Sequence, residues 1–139
     1  MPKYSDIEEA FDFVNSGSYG MNRAVFCKDT GKFLYQSEDC DLNQINEAEE
    51  NIDWDNCCEI PHKNDLDLGR ELVLEFVEAN MPKKMNLVSN IFRHSGAYSN
   101  YKELLDSEGL LQAWYDFENS AVERALRQWC AENDISHGD

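Results

Sequence analysis

The stretch from Gly96 to Asn133, GAYSNYKELLDSEGLLQAWYDFENSAVERALRQWCAEN, constrains this chain most, because its large apolar residues recur at helical spacing. Leu111, Trp114, Tyr115, Val122, Leu126 and Trp129 recur at spacings of three, four and seven, with Trp114 and Tyr115 adjacent, so one face of a long helix is hydrophobic and must be buried. Ala97, Tyr98, Tyr101, Leu104 and Leu105 repeat the pattern on a shorter helix. Gly109 stands between the two, where a helix C-terminal glycine adopts positive φ. The pair reads as a helical hairpin, with Trp114 and Trp129 expected in the core.

The rest of the chain reads as short elements. Ser5 with Glu8 has capping-box spacing, and Ile7, Ala10, Phe11 and Val14 share one helical face that ends near Asn15. Arg23 to Cys27 and Lys32 to Gln36 are β-prone runs around Lys28-Asp29-Thr30-Gly31, a hairpin with Gly31 at positive φ. Leu42 to Glu50 suggests a short helix, Asn51 to Asn56 a loop, and Cys57 to Ile60 a third strand ended by Pro61. Asp65 is placed to cap a helix with Leu68, Leu72, Phe76 and Val77 on one face. Pro82 suits the first turn of the next helix, which carries Met85, Val88, Ile91 and Phe92. The expectation is an α+β protein: a small antiparallel sheet of two to three strands with about five helices, the C-terminal helical hairpin packed on it.

A chain of 139 residues suits one domain, residues 1–139, enclosing one core. Its 28 acidic and 12 basic side chains leave a formal charge of −16, which opposes binding to a phosphate backbone or an anionic membrane surface. Basic protein surfaces, divalent cations or plain solubility remain as uses for that charge. Five cysteines, an odd number at irregular spacing, together with the amphipathic start MPKYSDIEEAF, point to a reduced cytoplasmic protein with free thiols. No apolar run reaches the roughly 20 residues of a membrane span. No pattern sets an oligomeric state.

GAYSNYKELL followed by GLLQAWYDFENSAVERALRQWC resembles the C-terminal signature of a bacterial family of uncharacterised proteins (UPF type). Members of that family carry a GAFRRFKD-like helix, then a W-Y-x-F helix and a W-[LC]-x-E-N-[GD]-I tail. The matching residues are Gly96, Ala97, Tyr98, Tyr101, Lys102 and Leu105, then Trp114, Tyr115, Phe117, Trp129, Glu132, Asn133 and Ile135. Relatives tend to have two arginines where this chain has Ser99 and Asn100, so an anionic ligand held by such a pair is not carried over. The resemblance implies an intracellular bacterial domain and supplies no activity.

Between Phe33 and His62 there is no lysine or arginine, while Glu38, Asp39, Asp41, Glu47, Glu49, Glu50, Asp53, Asp55 and Glu59 all fall there. Asp39, Asp41, Glu47, Glu49, Glu50, Asp53 and Asp55 form a candidate acidic docking face. Asp39, Asp41, Asn43, Glu47 and Glu50 also occupy positions 1, 3, 5, 9 and 12 of an EF-hand-like calcium loop, but Gln44 stands where the turn needs glycine. A solvated acidic surface is the preferred reading of that coincidence. Cys57, Cys58 and His62, with Cys40, are zinc-ligand types, yet adjacent strand cysteines point to opposite faces and no C-x-x-C pair exists. His94 near Lys83, Lys84 and Arg93 fits a cation at a helix C-terminus. No nucleophile elbow, phosphate-cradling loop or H-E-x-x-H motif is present, and no metal or cofactor is assigned.

Tyr98, Tyr101, Lys102, Tyr115 and Asp116 form a second candidate, a groove edged by hydroxyls and one amine between the last two helices. Two readings of function follow. The favoured one is a non-enzymatic regulatory protein whose acidic face docks a basic partner, in the manner of a nucleic-acid mimic. The alternative is a small ligand-binding domain or an enzyme of undescribed kind using the tyrosine and lysine groove.

Overall fold

The computed structural model describes residues 1–17, 20–38, 42–47 and 52–138. Six α-helices and a four-stranded antiparallel sheet make an α+β protein among these residues. The chain divides into two compact units, residues 1–66 with 125–139, and residues 67–124.

The first unit holds helix α1 (Tyr4–Asn15) and all four strands, β1 (Asn22–Cys27), β2 (Lys32–Ser37), β3 (Leu42–Asn43) and β4 (Cys57–Glu59), in the order β3-β2-β1-β4. Helix α1 begins earlier than Ser5 and Glu8 suggest: the Asp6 carboxylate accepts the Lys3 backbone N–H at 3.0 Å, satisfying a donor at the helix start. Its inward face is Tyr4, Ile7, Ala10, Phe11 and Val14, the apolar face the sequence marks with Tyr4 added. The β1–β2 hairpin has Cys27 opposite Lys32, and Gly31 closes the turn at φ 71°. The strand count is four and not two to three. The extra strand is Leu42–Asn43, whose Leu42 and Asn43 pair with Ser37 and Gln36, so two residues at the start of the expected Leu42 to Glu50 helix are spent on the sheet edge. A helical turn α2 (Gln44–Glu47) follows it, and residues 48–51 lie outside the described set.

Alternation along β1 decides which residues share a sheet face. Ala24 and Phe26 lie with Phe33 and Tyr35; the Phe26 and Phe33 rings are 4.8 Å apart, and Phe13 of α1 meets Tyr35 edge-on at 5.0 Å. Val25 and Cys27 lie with Leu34 and Cys57 on the opposite face, where Ile45 and Ile52 pack against them. Buried Asn22 ties the end of α1 to β1, its side-chain amide donating to the Phe13 and Ser16 carbonyls while its oxygen accepts the Ser37 hydroxyl at 2.6 Å.

The second unit is helical: α3 (Arg70–Asn80), α4 (Met85–Ile91), α5 (Ala97–Ser107) and the first part of α6 (Leu111–Glu132), whose residues from Ala125 belong to the first unit. Asp65 does not cap α3, which starts after Gly69; its carboxylate accepts the His62 backbone N–H at 3.0 Å instead. Pro82 opens a 3-10 turn that leads into α4. Gly109 takes φ 70° after α5, the positive φ its place in the sequence requires. The centre of this unit is Trp114, 1 % exposed, with Phe76 and Tyr101 edge-on at 5.4 and 5.2 Å. The hairpin of α5 and α6 was expected on the sheet; the partners of its aromatic residues within this unit are helical, Phe76 of α3 and Phe92 beyond α4. Trp129 is half-buried and not a core residue, because the inward line of α6 runs through Trp114, Ala121, Leu126 and Cys130.

Trp114→Ala should cost roughly 3–5 kcal/mol, the range for truncating a core aromatic. Chemical denaturation measures it, and a loss below about 1 kcal/mol would mean that the ring does not organise the helices.

Candidate functional site

The acidic stretch is fastened to the sheet by its own apolar and amide side chains. Ile45, 3 % exposed, enters the cluster with Val25 and Cys27, and Ile52 packs on the same cluster. Gln44 accepts the Tyr35 backbone N–H through its side-chain oxygen at 3.1 Å, occupying a donor on the outer edge of β2. Ile45 and Ile52 pack inward, whereas Glu47, Asp53 and Asp55 are exposed. Asp39, Asp41, Glu49 and Glu50, and Cys40, lie outside the described residues. In the described part of the calcium-loop spacing, Asn43 is paired in a strand and Glu47 ends a helical turn.

At the far end of the stretch Trp54 to Asn56 form a 3-10 turn that Asp53 caps. The Asp53 carboxylate accepts the Asp55 backbone N–H at 3.2 Å and the Asn56 side-chain amide at 2.6 Å, and the Asp53 carbonyl accepts the Asn56 N–H at 3.0 Å. Trp54 rides on this turn 45 % exposed, between two exposed carboxylates. An indole so exposed and so flanked combines the side chain best suited to a cation over its face with two opposite charges for that cation. The loop expected over Asn51 to Asn56 assigns Trp54 no role. The signal was Trp54 itself, a large aromatic in a segment with no apolar periodicity to bury it.

The groove residues are separated by the helix faces they occupy. Tyr101 points inward and is 0 % exposed, its ring 5.6 Å from Phe92. Its hydroxyl has no hydrogen-bond partner among the described residues, and burial, with Glu118 and Tyr98 adding to it, pushes its pKa well up. Tyr98 is half-buried against Phe92 at 5.0 Å, its pKa raised by burial and then by Glu118 and Glu71. Lys102 and Tyr115 do come together, the ammonium 5.6 Å from the ring centroid, on the exposed side. Asp116 accepts the Gln112 side-chain amide at 3.1 Å. Lys102, Tyr115 and Asp116 are thus a surface set, and Tyr101 a core residue.

A cavity of about 310 Å³ opens at one end of the sheet, lined by Val14, Asn22, Arg23, Glu59, Ile60 and His62 among others. Arg23 Nε is 2.6 Å from Glu59 Oε1, so the one guanidinium at the rim is already neutralised. His62 Nδ1 accepts the Asn64 N–H at 3.1 Å, which leaves its proton on Nε2. Burial and then Lys63 lower the His62 pKa, with Asp65 opposing, so the ring is neutral near pH 7. Cys57 and Cys58 lie on opposite faces of β4, opposite Cys27 and Phe26 respectively, as strand alternation requires. No group of three or more metal-ligating side chains occurs among the described residues, whose cysteines, Cys27, Cys57, Cys58 and Cys130, are free.

No protein-family model, curated protein or solved structure matches this chain.

Removing the unpartnered hydroxyl in Tyr101→Phe should leave stability unchanged or raise it by up to about 1 kcal/mol, since a buried polar group without a partner is a cost. A folded-state pKa raised above 10.0 means that the stability tied to the protonated phenol is intact below pH 10.0 and lost as pH climbs past it. Denaturation against pH should therefore show a shallower alkaline decline for Tyr101→Phe than for the parent. A variant more than about 1 kcal/mol less stable would reveal a hydrogen-bonded hydroxyl and reopen the groove as a polar site.

Proposed function

We propose that this protein is a non-enzymatic binding protein that docks a basic protein partner on its acidic stretch, with Trp54 as the anchor. The observation that carries the reading is the exposed Trp54 held between Asp53 and Asp55 on a hydrogen-bonded turn. Rigid aromatic anchors supply most of the binding energy in many interfaces, and a turn fixed in advance loses little freedom on docking. Charge supports the same direction. Even if each of the 12 basic side chains were matched to one carboxylate, 16 of the 28 would have no cation within the chain. The basic surface of a nucleic-acid-binding protein is the kind of partner such a face would match, the stretch then acting as a mimic of the phosphate backbone.

The family resemblance of the α5 and α6 sequences belongs to this proposal, and with it a bacterial cytoplasmic setting. No helix among the described residues is long and apolar enough to cross a membrane.

Affinity capture from the native cell identifies the partner, and its association is then followed by stopped flow across ionic strength. The rate should fall steeply with salt, because exposed charges are screened over about 8 Å at physiological ionic strength. Glu47→Gln with Glu49→Gln and Glu50→Gln should slow association and leave the far-UV spectrum unchanged. Trp54→Ala should instead speed dissociation, at a cost of about 2 kcal/mol or more in affinity. Association indifferent to salt, to the three glutamines and to Trp54 would remove the acidic stretch as the docking face.

A further inference from the structure

Cys27 and Cys57 occupy directly opposed positions on β1 and β4. The Lys28 N–H donates to the Asn56 carbonyl and the Ile60 N–H to the Ala24 carbonyl, each at 2.9 Å, so Lys28–Asn56 and Ala24–Ile60 are hydrogen-bonded positions of the ladder. Counting inward by single residues makes Cys27–Cys57 a non-hydrogen-bonded pair, the kind whose Cα atoms lie closest, at about 4.5 Å, with side chains on the same face. That separation is at the short end of the roughly 4.4–6.8 Å over which two cysteines can be bridged. The two sulfurs are 3.1 Å apart.

Oxidant access is built in on one side. A cavity of about 130 Å³ is lined by Cys27, Asp29, Thr30, Lys32, Leu34, Ile52 and Asp53, so Cys27, only 5 % exposed, still has open space beside it. That space is large enough for a molecule the size of water or hydrogen peroxide to reach the Cys27 side of the pair.

We propose that Cys27 and Cys57 form a redox-modification site, a dithiol that hydrogen peroxide converts reversibly into a cross-strand disulfide. The Cys27 thiolate, its proton released to water, attacks one peroxide oxygen; the S–O bond forms, the O–O bond breaks, and hydroxide leaves. The Cys57 S–H supplies the proton that makes this hydroxide water. The Cys57 thiolate then attacks the Cys27 sulfenic sulfur; the S–S bond forms, the S–O bond breaks, and the second hydroxide takes a proton from solvent. Two thiols are oxidised, one peroxide is reduced, and two waters are formed.

The resting pair is suited to being held reduced. The single proton on Cys57 has two acceptors in reach, the Cys27 sulfur at 3.1 Å and the Asp53 carbonyl at 3.2 Å. Burial first, then the hydrogen bond with Cys27, push the Cys57 thiol up to about 12. The S–H of Cys57 is directed at the Cys27 sulfur, which places Cys57 as the proton donor and Cys27 as the attacking sulfur. In the oxidised form Cys57 has no proton to offer the Asp53 carbonyl, so the change reaches the turn that carries Trp54.

The test treats the reduced full-length chain with hydrogen peroxide, then reads the cysteines by differential alkylation and non-reducing peptide mass spectrometry. The expected result is one peptide pair joining Cys27 to Cys57, with both residues lost to alkylation in equal measure and recovered together by a dithiol reductant. Cys27→Ser should abolish the cross-link and leave Cys57 unoxidised, whereas Cys57→Ser should carry Cys27 onward to sulfinic acid because nothing resolves the sulfenic acid. Cys40→Ser with Cys58→Ser, which keeps the pair, should cross-link like the parent and serves where either single change unfolds the chain. Persistent Cys27 and Cys57 thiols after the other cysteines have reacted, or a disulfide from either of them to Cys40, Cys58 or Cys130, would overturn the assignment.

Discussion

Strand β1 is paired on both edges, with β2 and β4, and along Ala24, Val25, Phe26 and Cys27 it is buried on both faces. The rest of the first unit follows from that double burial. A strand with alternating side chains and two apolar faces must be covered twice. Ala24 and Phe26 share their face with the aromatic row of Phe33 and Tyr35, which Phe13 of α1 meets. Val25 and Cys27 are covered by Ile45 and Ile52, which come from the most acidic part of the chain. The unit therefore brings a highly charged segment onto its own sheet, using two isoleucines set among the carboxylates.

This arrangement connects charge with rigidity. Carboxylates that repel one another would favour an extended, solvated stretch. Burying Ile45, pairing Leu42 with Ser37 and closing the Asp53 turn oppose that tendency through contacts that salt screens little. Among the described residues, Glu47, Asp53 and Asp55 are exposed beside these fastened positions, and so is Trp54 on the turn that Asp53 caps. The thiol pair lies beneath the same segment, linked to it through the Asp53 carbonyl.

In the second unit the corresponding constraint is aromatic packing. Trp114 meets Phe76 and Tyr101 edge-on at ring separations of 5.4 and 5.2 Å and a tilted Phe117 at 6.2 Å, and edge-on contacts add to what area burial alone supplies. Tyr101 completes that cluster at the cost of a hydroxyl without a partner. The tyrosine and lysine groove dissolves into two separate sets because residues one position apart on a helix, such as Tyr101 and Lys102, face about 100° away from each other.

What the sequence determined by itself was whatever local periodicity carries. The helical faces of α1 and α5, the existence of α6, the Gly31 turn and the Gly109 break are properties of neighbouring residues, and a short window is enough to read them. The opposite facing of Cys57 and Cys58 was legible for the same reason, since it follows from strand alternation alone. Tertiary structure decided the rest. Leu42–Asn43 is a strand only because the edge of β2 lies beside it, and Trp129 is left half-buried because Leu126 and Cys130 hold the inward positions. The Cys27–Cys57 pair and the anchoring of the acidic stretch by Ile45 and Ile52 depend on register between residues up to 30 positions apart. No local pattern encodes that register; it is set by which faces the whole sheet must bury.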